Sequence, residues 1–192
     1  MIAVIDYGLG NISNVTRAIK HLGYEVVLTC EEEKMMSAEA IVLPGVGHFK
    51  DAMVSIHSKG LDQILKKIDG KPIIGICLGM QLLFEHSAEG DVDGLGLVPG
   101  NIVPIQTSYP VPHLGWNQLH SQHPLLQTDV YFVHSYQAEM SEHVVAYANY
   151  GTQVPGVIQY RHYIGIQFHP EKSGEHGLAI LKQALKGGFI DD

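Results

Sequence analysis

Residues 72–86 read PIIGICLGMQLLFEH, and this stretch decides the fold. Its opening, Pro72–Ile76, is apolar and rich in β-branched residues, which is typical of a strand buried on both faces. Its second part, Leu78–His86, has the composition of a helix that turns its leucines toward a core. Cys77 lies between the two, with a glycine two positions before it and another two positions after it. The stretch therefore predicts a strand, a sharp turn and a helix, which is the building unit of an α/β fold.

The turn has the pattern of a nucleophile elbow, GxSxG, with cysteine in the place of serine. Side chains at Gly75 and Gly79 would collide across so sharp a turn, so both glycines have a physical purpose. The turn lifts the Cys77 thiol above the carboxyl edge of the sheet, where the N-terminus of the next helix favours the thiolate. We predict that Cys77 is a nucleophile; the alternative is a small buried cysteine in a glycine-rich turn. Cys30 has no glycine neighbours, and we expect it to be structural.

The same alternation of short strands and helices extends over the first half of the chain. Strands are predicted at Ile2–Ile5, Glu25–Thr29 and Ala40–Leu43, and amphipathic helices at about Ile12–Leu22 and Leu61–Ile68. After Gly90 the pattern changes, because glycine and proline interrupt the chain. Antiparallel, hairpin-linked strands are predicted at Val130–Ala138, Val144–Ala148, Val157–Arg161 and Tyr163–Phe168, before a closing helix at about Glu175–Lys186. The predicted fold class is α/β over a single domain, residues 1–192, with a mostly parallel central sheet flanked by helices and antiparallel strands in the second half.

Composition excludes several classes of function. The 192 residues include 12 basic and 20 acidic ones, and the net charge of −8 repels nucleic-acid backbones and anionic membrane surfaces. Two cysteines are too few for a disulfide framework and favour a reducing compartment. The start of the sequence lacks the features of a signal peptide, and no apolar run is long enough to span a membrane. We therefore expect a cytoplasmic protein that binds neither nucleic acid nor membranes.

A cysteine nucleophile needs a base, and His169 is the best placed of the 12 histidines. It ends the predicted strand Tyr163–Phe168, so it can reach the elbow above the sheet. Glu171 follows two residues later, across a proline that fixes the backbone, and can orient the imidazole. The rival interpretation, a zinc site, needs a CxxC or HExxH motif that the sequence lacks, so we predict no metal.

Two glycine-containing loops follow other predicted strands. In Pro44-Gly45-Val46-Gly47 the backbone N–H groups are exposed. Those of Val46 and Gly47, together with that of Leu78 after the nucleophile, are predicted to form an oxyanion hole. The alternative for this loop is an ordinary strand-to-helix turn. Gly8-Leu9-Gly10 follows the first strand but lacks the third glycine of a dinucleotide-binding motif, so we interpret it as a tight turn.

The GICLGMQLL elbow, the His169-Pro170-Glu171 segment and the loop at residues 44–47 together resemble the class I, triad-type glutamine amidotransferases. The resemblance covers essentially the whole chain. It implies the class I glutamine amidotransferase fold, L-glutamine as the substrate, no cofactor, and a catalytic triad of Cys77, His169 and Glu171. By the same resemblance, the residues that contact the substrate are Gly45, Gly47, Gln81, His134, Ser135 and Tyr136. The alternative for Gln81 is a solvated helix position, and for residues 134–136 it is a polar strand end.

Further segments, among them His113-Leu114-Gly115-Trp116-Asn117, resemble the glutaminase subunits that pass ammonia to a cyclase subunit with a (β/α)8 barrel. This resemblance implies a heterodimer with a role in histidine biosynthesis. The residues predicted at the partner face are Trp116, Asn117, Tyr131 and Lys172. The alternative is that Trp116 is a core aromatic and Lys172 an ordinary solvated charge. Three other functions stay open: the glutaminase of another ammonia-channelling synthase such as pyridoxal phosphate synthase, a stand-alone hydrolase of γ-glutamyl compounds, and an interaction module without activity.

Overall fold

The computed structural model describes residues 1–190 of the chain. Its helices are α1 (Ile12–His21), α2 (Glu32–Ser37), α3 (Phe49–Ser58), α4 (Leu61–Lys67), α5 (Leu78–Leu82) and α6 (Gly174–Leu185). Its strands are β1 (Ile2–Ile5), β2 (Val26–Thr29), β3 (Ala40–Leu43), β4 (Ile73–Ile76), β5 (Phe84–Ser87), β6 (Val92–Asp93), β7 (Val98–Pro104), β8 (His113–Ser121), β9 (Asp129–His134), β10 (Tyr136–Ala138), β11 (Val144–Asn149), β12 (Gln153–Tyr160) and β13 (Tyr163–Ile166). Two 3-10 helices span Pro124–Leu126 and Pro170–Lys172.

The main sheet has nine strands in the order β2-β1-β3-β4-β13-β12-β11-β8-β9. The first five of these run parallel, and antiparallel pairing carries the sheet on from β13 to β9. The α/β class, with parallel strands first and antiparallel strands in the second half, is confirmed. Gly75 of β4 is opposite Gly165 of β13, so the segments that follow these two strands leave the same edge of the sheet side by side.

The parallel strands alternate between two hydrophobic cores, one on each face of the sheet. In β1, Ala3 and Ile5 pack in one core, while Ile2 and Val4 pack in the other. Residues of α3 and α4 complete the first core, and residues of α1 and α6 complete the second. Burial on both faces explains why these strands are unbroken apolar runs in the sequence. Within residues 1–190, no helix has both the length and the apolar character needed to cross a membrane.

A second sheet of four strands, in the order β10-β7-β5-β6, corrects two predictions. The helix predicted at Leu78–His86 ends at Leu82, because the chain turns there and β5 pairs with β7. Apolar residues are buried in either conformation, so composition does not separate a short helix from a buried strand. The strand predicted at Val130–Ala138 is broken at Ser135, since β9 pairs with β8 in the main sheet and β10 pairs with β7 in the second sheet.

Five helices and strands lie outside the sequence predictions: α2, α3, β6, β7 and β8. Helix α3 does carry a helical pattern, because its buried residues are Phe49, Ala52, Met53 and Ile56. Strand β8 contains Gly115 in a positive-φ conformation and follows a proline-rich segment, so its sequence gives little strand signal. Both elements matter for the site, since α3 begins beside the loop at residues 44–47 and β8 pairs with β9.

Candidate active site

Cys77 lies at the elbow between β4 and α5, with a φ of 54° and a ψ of −113°. A positive φ is uncommon for a residue with a side chain and marks local strain. Two glycines make the turn possible. A Cβ on Gly75 would lie 2.4 Å from the carbonyl oxygen of Gly79, and a Cβ on Gly79 would lie 1.8 Å from that of Leu43. Both contacts are too short for any side chain, so the glycine spacing in the sequence is a requirement of the elbow.

His169 and Glu171 lie just beyond β13, the strand next to β4. Nδ1 of His169 lies 2.8 Å from Oε1 of Glu171, and the two side chains are 3% and 1% exposed. The same carboxylate oxygen accepts a hydrogen bond of 3.3 Å from Nδ2 of Asn11. The backbone holds the histidine as well, since its N–H donates to the carbonyl of Tyr131 at 2.9 Å. This arrangement orients the imidazole and leaves its Nε2 atom for chemistry in the pocket.

The two neighbours of His169 determine its charge. Burial by itself lowers the pKa of His169, because it penalises the charged ring. The adjoining Cys77 and Glu171 side chains outweigh burial and raise this pKa to about 9. The ring therefore carries a proton at neutral pH and loses it as the pH rises through that value. A protonated imidazole beside a cysteine can give its proton to a group that leaves during chemistry at the sulfur.

Cys77 and His169 open into one cavity of about 320 Å³, large enough for a small molecule of amino-acid size. The residues that line it are Val46, Gly47, Cys77, Leu78, Gln81, Glu89, Pro112, Val133, His134, Ser135, Tyr136 and His169. Most of the predicted catalytic, oxyanion and substrate residues are thus brought together, although they come from separate parts of the chain. In the described part of the chain, no group of three or more His, Cys, Asp or Glu residues could hold a metal ion.

The loop at residues 44–47 contributes only part of its length to the pocket. Val46 and Gly47 line it, and neither of their N–H groups has a hydrogen-bond acceptor within residues 1–190. The N–H of Leu78 is in the first turn of α5, where no intrahelical acceptor exists. Gly45 does not line the pocket; it packs behind it, where a Cβ would lie 2.7 Å from the backbone nitrogen of Gly79. Three N–H groups on the wall of one pocket can stabilise a negatively charged oxygen.

The other predicted substrate residues form a hydrogen-bonded wall. Nε2 of Gln81 donates to the carbonyl oxygen of Tyr136 at 3.0 Å and to Oε1 of Gln167 at 3.1 Å. Gln81 is only 5% exposed, so it is not a solvated helix position. Nδ1 of His134 lies 2.8 Å from the same Tyr136 oxygen. Ser135, between them, is the point at which the chain leaves the main sheet for the second sheet.

Four residues of the site were not predicted from the sequence: Asn11, Glu89, Pro112 and Val133. Asn11 lies in the first glycine loop, and its contact with Glu171 gives that loop a place in the site. Glu89 is the one carboxylate on the pocket wall within the described residues, and its Oε2 accepts a hydrogen bond of 2.9 Å from the N–H of Phe49. No local motif marks Glu89 or Pro112, because both reach the pocket only through the tertiary fold.

The residues predicted for a partner face lie on β8, on β9 and just after Glu171. Trp116 is 59% exposed, which excludes the alternative that it is a core aromatic. It stands opposite Tyr131 in the β8–β9 ladder, with ring centroids 6.1 Å apart. Lys172 is exposed at the end of the second 3-10 helix. Asn117 is half-buried and also has an inward contact, from its Nδ2 to Nε2 of His113 at 3.2 Å.

The sequence matches the family model for glutamine amidotransferase class-I over residues 3–187. The chain therefore belongs to the class I glutamine amidotransferase family, and it is a glutaminase-type enzyme subunit. It is 78% identical, over the whole of both chains, to the imidazole glycerol phosphate synthase subunit HisH of Staphylococcus epidermidis strain RP62A. It is 66% identical to the subunit of the same name from Staphylococcus saprophyticus, over 100% of this chain and 97% of that one.

Solved structures agree on the fold. A crystal structure described as a glutamine amidotransferase superposes with a TM-score of 0.79, covering 97% of this chain and 98% of that chain. The two sequences are 19% identical, so this similarity is evidence for the fold alone.

Proposed function

We propose that the chain is the glutaminase subunit of an imidazole glycerol phosphate synthase and that Cys77, His169 and Glu171 are its catalytic triad. The observation that carries the proposal is the strained elbow at Cys77, which shares one cavity with a buried, hydrogen-bonded His169–Glu171 pair. Similarity over the full length to subunits of that name indicates the particular enzyme. Its reaction is the hydrolysis of the side-chain amide of L-glutamine, and the ammonia serves L-histidine biosynthesis in the partner subunit.

The first half of the reaction forms a thioester. The Cys77 thiolate attacks the side-chain carbonyl carbon of glutamine, and the carbonyl electron pair moves onto the oxygen. When this tetrahedral intermediate collapses, the carbon–nitrogen bond breaks and the proton on Nε2 of His169 passes to the leaving nitrogen. The products of this half are ammonia and a γ-glutamyl thioester on Cys77. The raised pKa of His169 suits this step, because the ring then holds its proton until the leaving group needs it.

The second half restores the enzyme. His169, now neutral, takes a proton from water, and the resulting hydroxide attacks the thioester carbon. The carbon–sulfur bond breaks, glutamate leaves, and the thiolate and the protonated imidazole are both regenerated. Glu171 keeps Nδ1 of His169 protonated and the ring in position through both halves.

Backbone N–H groups stabilise the charge that develops on the carbonyl oxygen. We assign this role to Val46, Gly47 and Leu78, which line the pocket beside Cys77. One such donor contributes about 2.7 to 4 kcal/mol, or about a hundredfold to a thousandfold in rate. The peptide group between Val46 and Gly47 carries the N–H of Gly47, whose φ is +111°, so rotation of this peptide group can bring that N–H toward the oxyanion or away from it.

The remaining pocket residues hold the amino-acid end of glutamine. Gln81 and residues 134–136 line this pocket, and Glu89 is the one carboxylate on that lining within the described residues. A carboxylate there can pair with the substrate's ammonium group. This assignment explains how a pocket with few charges can recognise a free amino acid.

The partner in this proposal is a cyclase subunit with a (β/α)8 barrel, which forms a heterodimer with the chain through Trp116, Asn117, Tyr131 and Lys172. An exposed indole of this size is a typical anchor of an interface. Tyr131 also accepts the hydrogen bond from the His169 N–H, so the partner would bind directly beside the triad. A reducing cytoplasm suits the two free cysteines.

The experiment measures steady-state glutamate production by the free chain, by the chain with its cyclase subunit, and by that complex saturated with a cyclase ligand. We expect the ligand-bound complex to have a kcat about a hundredfold or more above that of the free chain, because one oxyanion donor is restored. If the partner and its ligand lowered KM and left kcat unchanged, control would lie in the entry of glutamine and not in the 44–47 loop. Absence of glutamate production in all three samples would contradict the proposed function.

A further inference from the structure

His113 lies directly behind the glutamine pocket, and the mechanism above does not use it. It is the first residue of β8, stands opposite His134 in the β8–β9 ladder, and is 2% exposed. Its ring stacks on Phe132, with centroids 4.4 Å apart, and on Tyr150, with centroids 4.0 Å apart. It is not among the residues that line the pocket. A buried imidazole so close to an active site needs an explanation.

The hydrogen bonds of His134 fix which of its nitrogens carries the proton. Nδ1 lies 2.8 Å from the carbonyl oxygen of Tyr136, which can only accept, so Nδ1 must be the donor. Burial lowers the pKa of His134 to about 3, so the ring is neutral and has one proton. Nε2 of His134 is therefore an acceptor that needs a donor of its own.

His113 supplies that donor. Its Nδ1 lies 3.0 Å from Nε2 of His134, so this Nδ1 must carry a proton. Burial lowers the pKa of His113 to about 4, and its neutral ring then accepts at Nε2, where Nδ2 of Asn117 donates over 3.2 Å. The amide of Asn117 also donates to the carbonyl of Asn149 at 3.0 Å. The chain of hydrogen bonds thus has one direction, from Asn117 through His113 and His134 to Tyr136.

This series of hydrogen bonds ends on the segment that lines the pocket. Residues 134–136, which we call the crossover, pass from β9 in the main sheet to β10 in the second sheet. The Tyr136 carbonyl at its end accepts from His134 and from Nε2 of Gln81, so both of its lone pairs are used. The crossover is held from two sides, by α5 through Gln81 and by β8 through His113.

We propose that His113 is a positioning residue for glutamine binding, which acts by donating its Nδ1–H to His134 and thereby holds the crossover in the pocket wall. This inference rests on the proposed glutaminase function. Without the donor, Nε2 of His134 is a buried acceptor with no partner, and the ring can relieve this only by turning. A turned ring releases the Tyr136 carbonyl and moves Ser135. Cys77 lies directly after β4 and His169 lies after β13, so their chemistry is expected to persist.

A matched pair of variants isolates the hydrogen bond. The amide nitrogen of asparagine lies as many bonds from Cα as Nδ1 of histidine and can donate to His134 in its place. The amide group of glutamine lies one bond further out, as Nε2 does, and its oxygen can accept the hydrogen bond from Asn117. His113→Asn therefore keeps the donor to His134, and His113→Gln keeps only the contact with Asn117. Both lose the aromatic stacking equally. His113→Phe is the complementary variant, because it keeps the stacking and loses both hydrogen bonds.

The measurements distinguish an effect on the pocket from an effect on the reactivity of Cys77. In the complex with the cyclase subunit we measure kcat/KM for glutamine, the rate at which a chloroketone analogue of glutamine labels Cys77, and the rate at which iodoacetamide labels it. For His113→Gln and His113→Phe we expect kcat/KM and analogue labelling to fall about tenfold or more, mainly through KM. We expect His113→Asn to stay within about threefold of the wild type on both. Iodoacetamide labelling is expected to change less than about twofold in every variant.

Two results would overturn the inference. The first is an equal loss of kcat/KM in His113→Asn and His113→Gln, together with a value near that of the wild type in His113→Phe. This result would mean that the ring acts through its aromatic stacking. The second is wild-type behaviour of all three variants. If His113→Phe does not fold, as its melting curve would show, the Asn and Gln pair still decides. Failure of the wild-type complex itself to consume glutamine would contradict the proposed function instead, and the two failures are therefore distinguishable.

Discussion

The chain holds two cysteines at the same edge of one sheet, and only one of them is placed for chemistry. Cys30 follows β2 and Cys77 follows β4, both strands of the parallel part. β2 is the outer strand of the sheet, whereas β4 lies between β3 and β13. A residue after β4 therefore meets the segments of both neighbours, and the segment after β13 carries His169. A residue after β2 has a neighbour on one side only.

The surroundings of the two thiols differ in kind. Cys30 donates its thiol hydrogen to the carbonyl of Asp6 at 2.7 Å, and burial raises the pKa of its thiol. Cys77 has a positive φ, glycines on both sides and a protonated imidazole as its neighbour. In the proposed function, placement at the centre of the sheet, with a backbone that lifts the sulfur clear, is what makes Cys77 and not Cys30 the nucleophile. The residue type alone does not decide this.

The largest effect is expected from replacing each thiol in turn. Cys77→Ser should lower the glutaminase kcat by about a thousandfold or more, because the acyl intermediate cannot form efficiently. Cys30→Ser should leave kcat/KM within about twofold of the wild type. Steady-state assays of glutamate production check both, and mass spectrometry after a limiting dose of iodoacetamide should find the label on Cys77. Equal labelling of both cysteines would contradict the claim that Cys77 is the more reactive thiol.

The elbow glycines test whether the Cys77 turn is as constrained as its geometry indicates. Gly79→Ala should destabilise the fold by more than about 4 kcal/mol, because its Cβ would clash with the Leu43 carbonyl. Gly96→Ala is the matched control: it has a positive φ of 64° but open space around its Cβ, so we expect a loss of about 1 kcal/mol. Chemical denaturation measures both. Similar losses would mean that the elbow can relax around a side chain.

The charge on His169 is the next difference between the surroundings of Cys77 and those of Cys30, and the pH dependence of activity tests it. Because the folded pKa of His169 is raised to about 9, kcat/KM should fall as the pH rises through that value and the leaving ammonia loses its proton donor. Glu171→Gln should lower kcat about a hundredfold or less. It should also move the fall of kcat/KM at high pH, the alkaline limb of the profile, to lower pH. The control is Glu175→Gln, at an exposed glutamate, which should leave the pH profile unchanged. An alkaline limb that stays near pH 9 in Glu171→Gln would contradict the assigned role of Glu171.

The smallest effect concerns the partner face, which is joined to the Cys77 side of the sheet through Tyr131 and His169. Trp116→Ala should weaken association with the cyclase subunit by about 1 to 2 kcal/mol and leave the melting temperature of the free chain unchanged. The control is Val54→Ala, which shortens an exposed apolar side chain on α3 and should not affect association. Isothermal titration calorimetry measures both affinities. A loss of stability in Trp116→Ala with unchanged affinity would place the partner elsewhere.

The predictable part of the site is the part that local sequence determines. The glycines around Cys77 and the proline between His169 and Glu171 restrict the backbone within a few residues, so the elbow and the proposed triad could be predicted from local patterns. The end of α5 could not, because leucines are buried equally well in helix α5 and strand β5. Asn11, Glu89 and His113 escape sequence reasoning for another reason. Their roles arise from contacts with Glu171, Phe49 and His134, which depend on how distant segments pack.

The central claim is that this chain makes ammonia with Cys77 and that its partner consumes it. The most direct test compares glutamine and ammonium salts as nitrogen sources for imidazole glycerol phosphate formation, in the complex that carries Cys77→Ser. We expect synthesis from glutamine to be lost and synthesis from ammonium to match the wild-type complex, because only ammonia production needs the thiol. Retention of glutamine-dependent synthesis, or loss of ammonium-dependent synthesis in a complex that still assembles, would contradict the account.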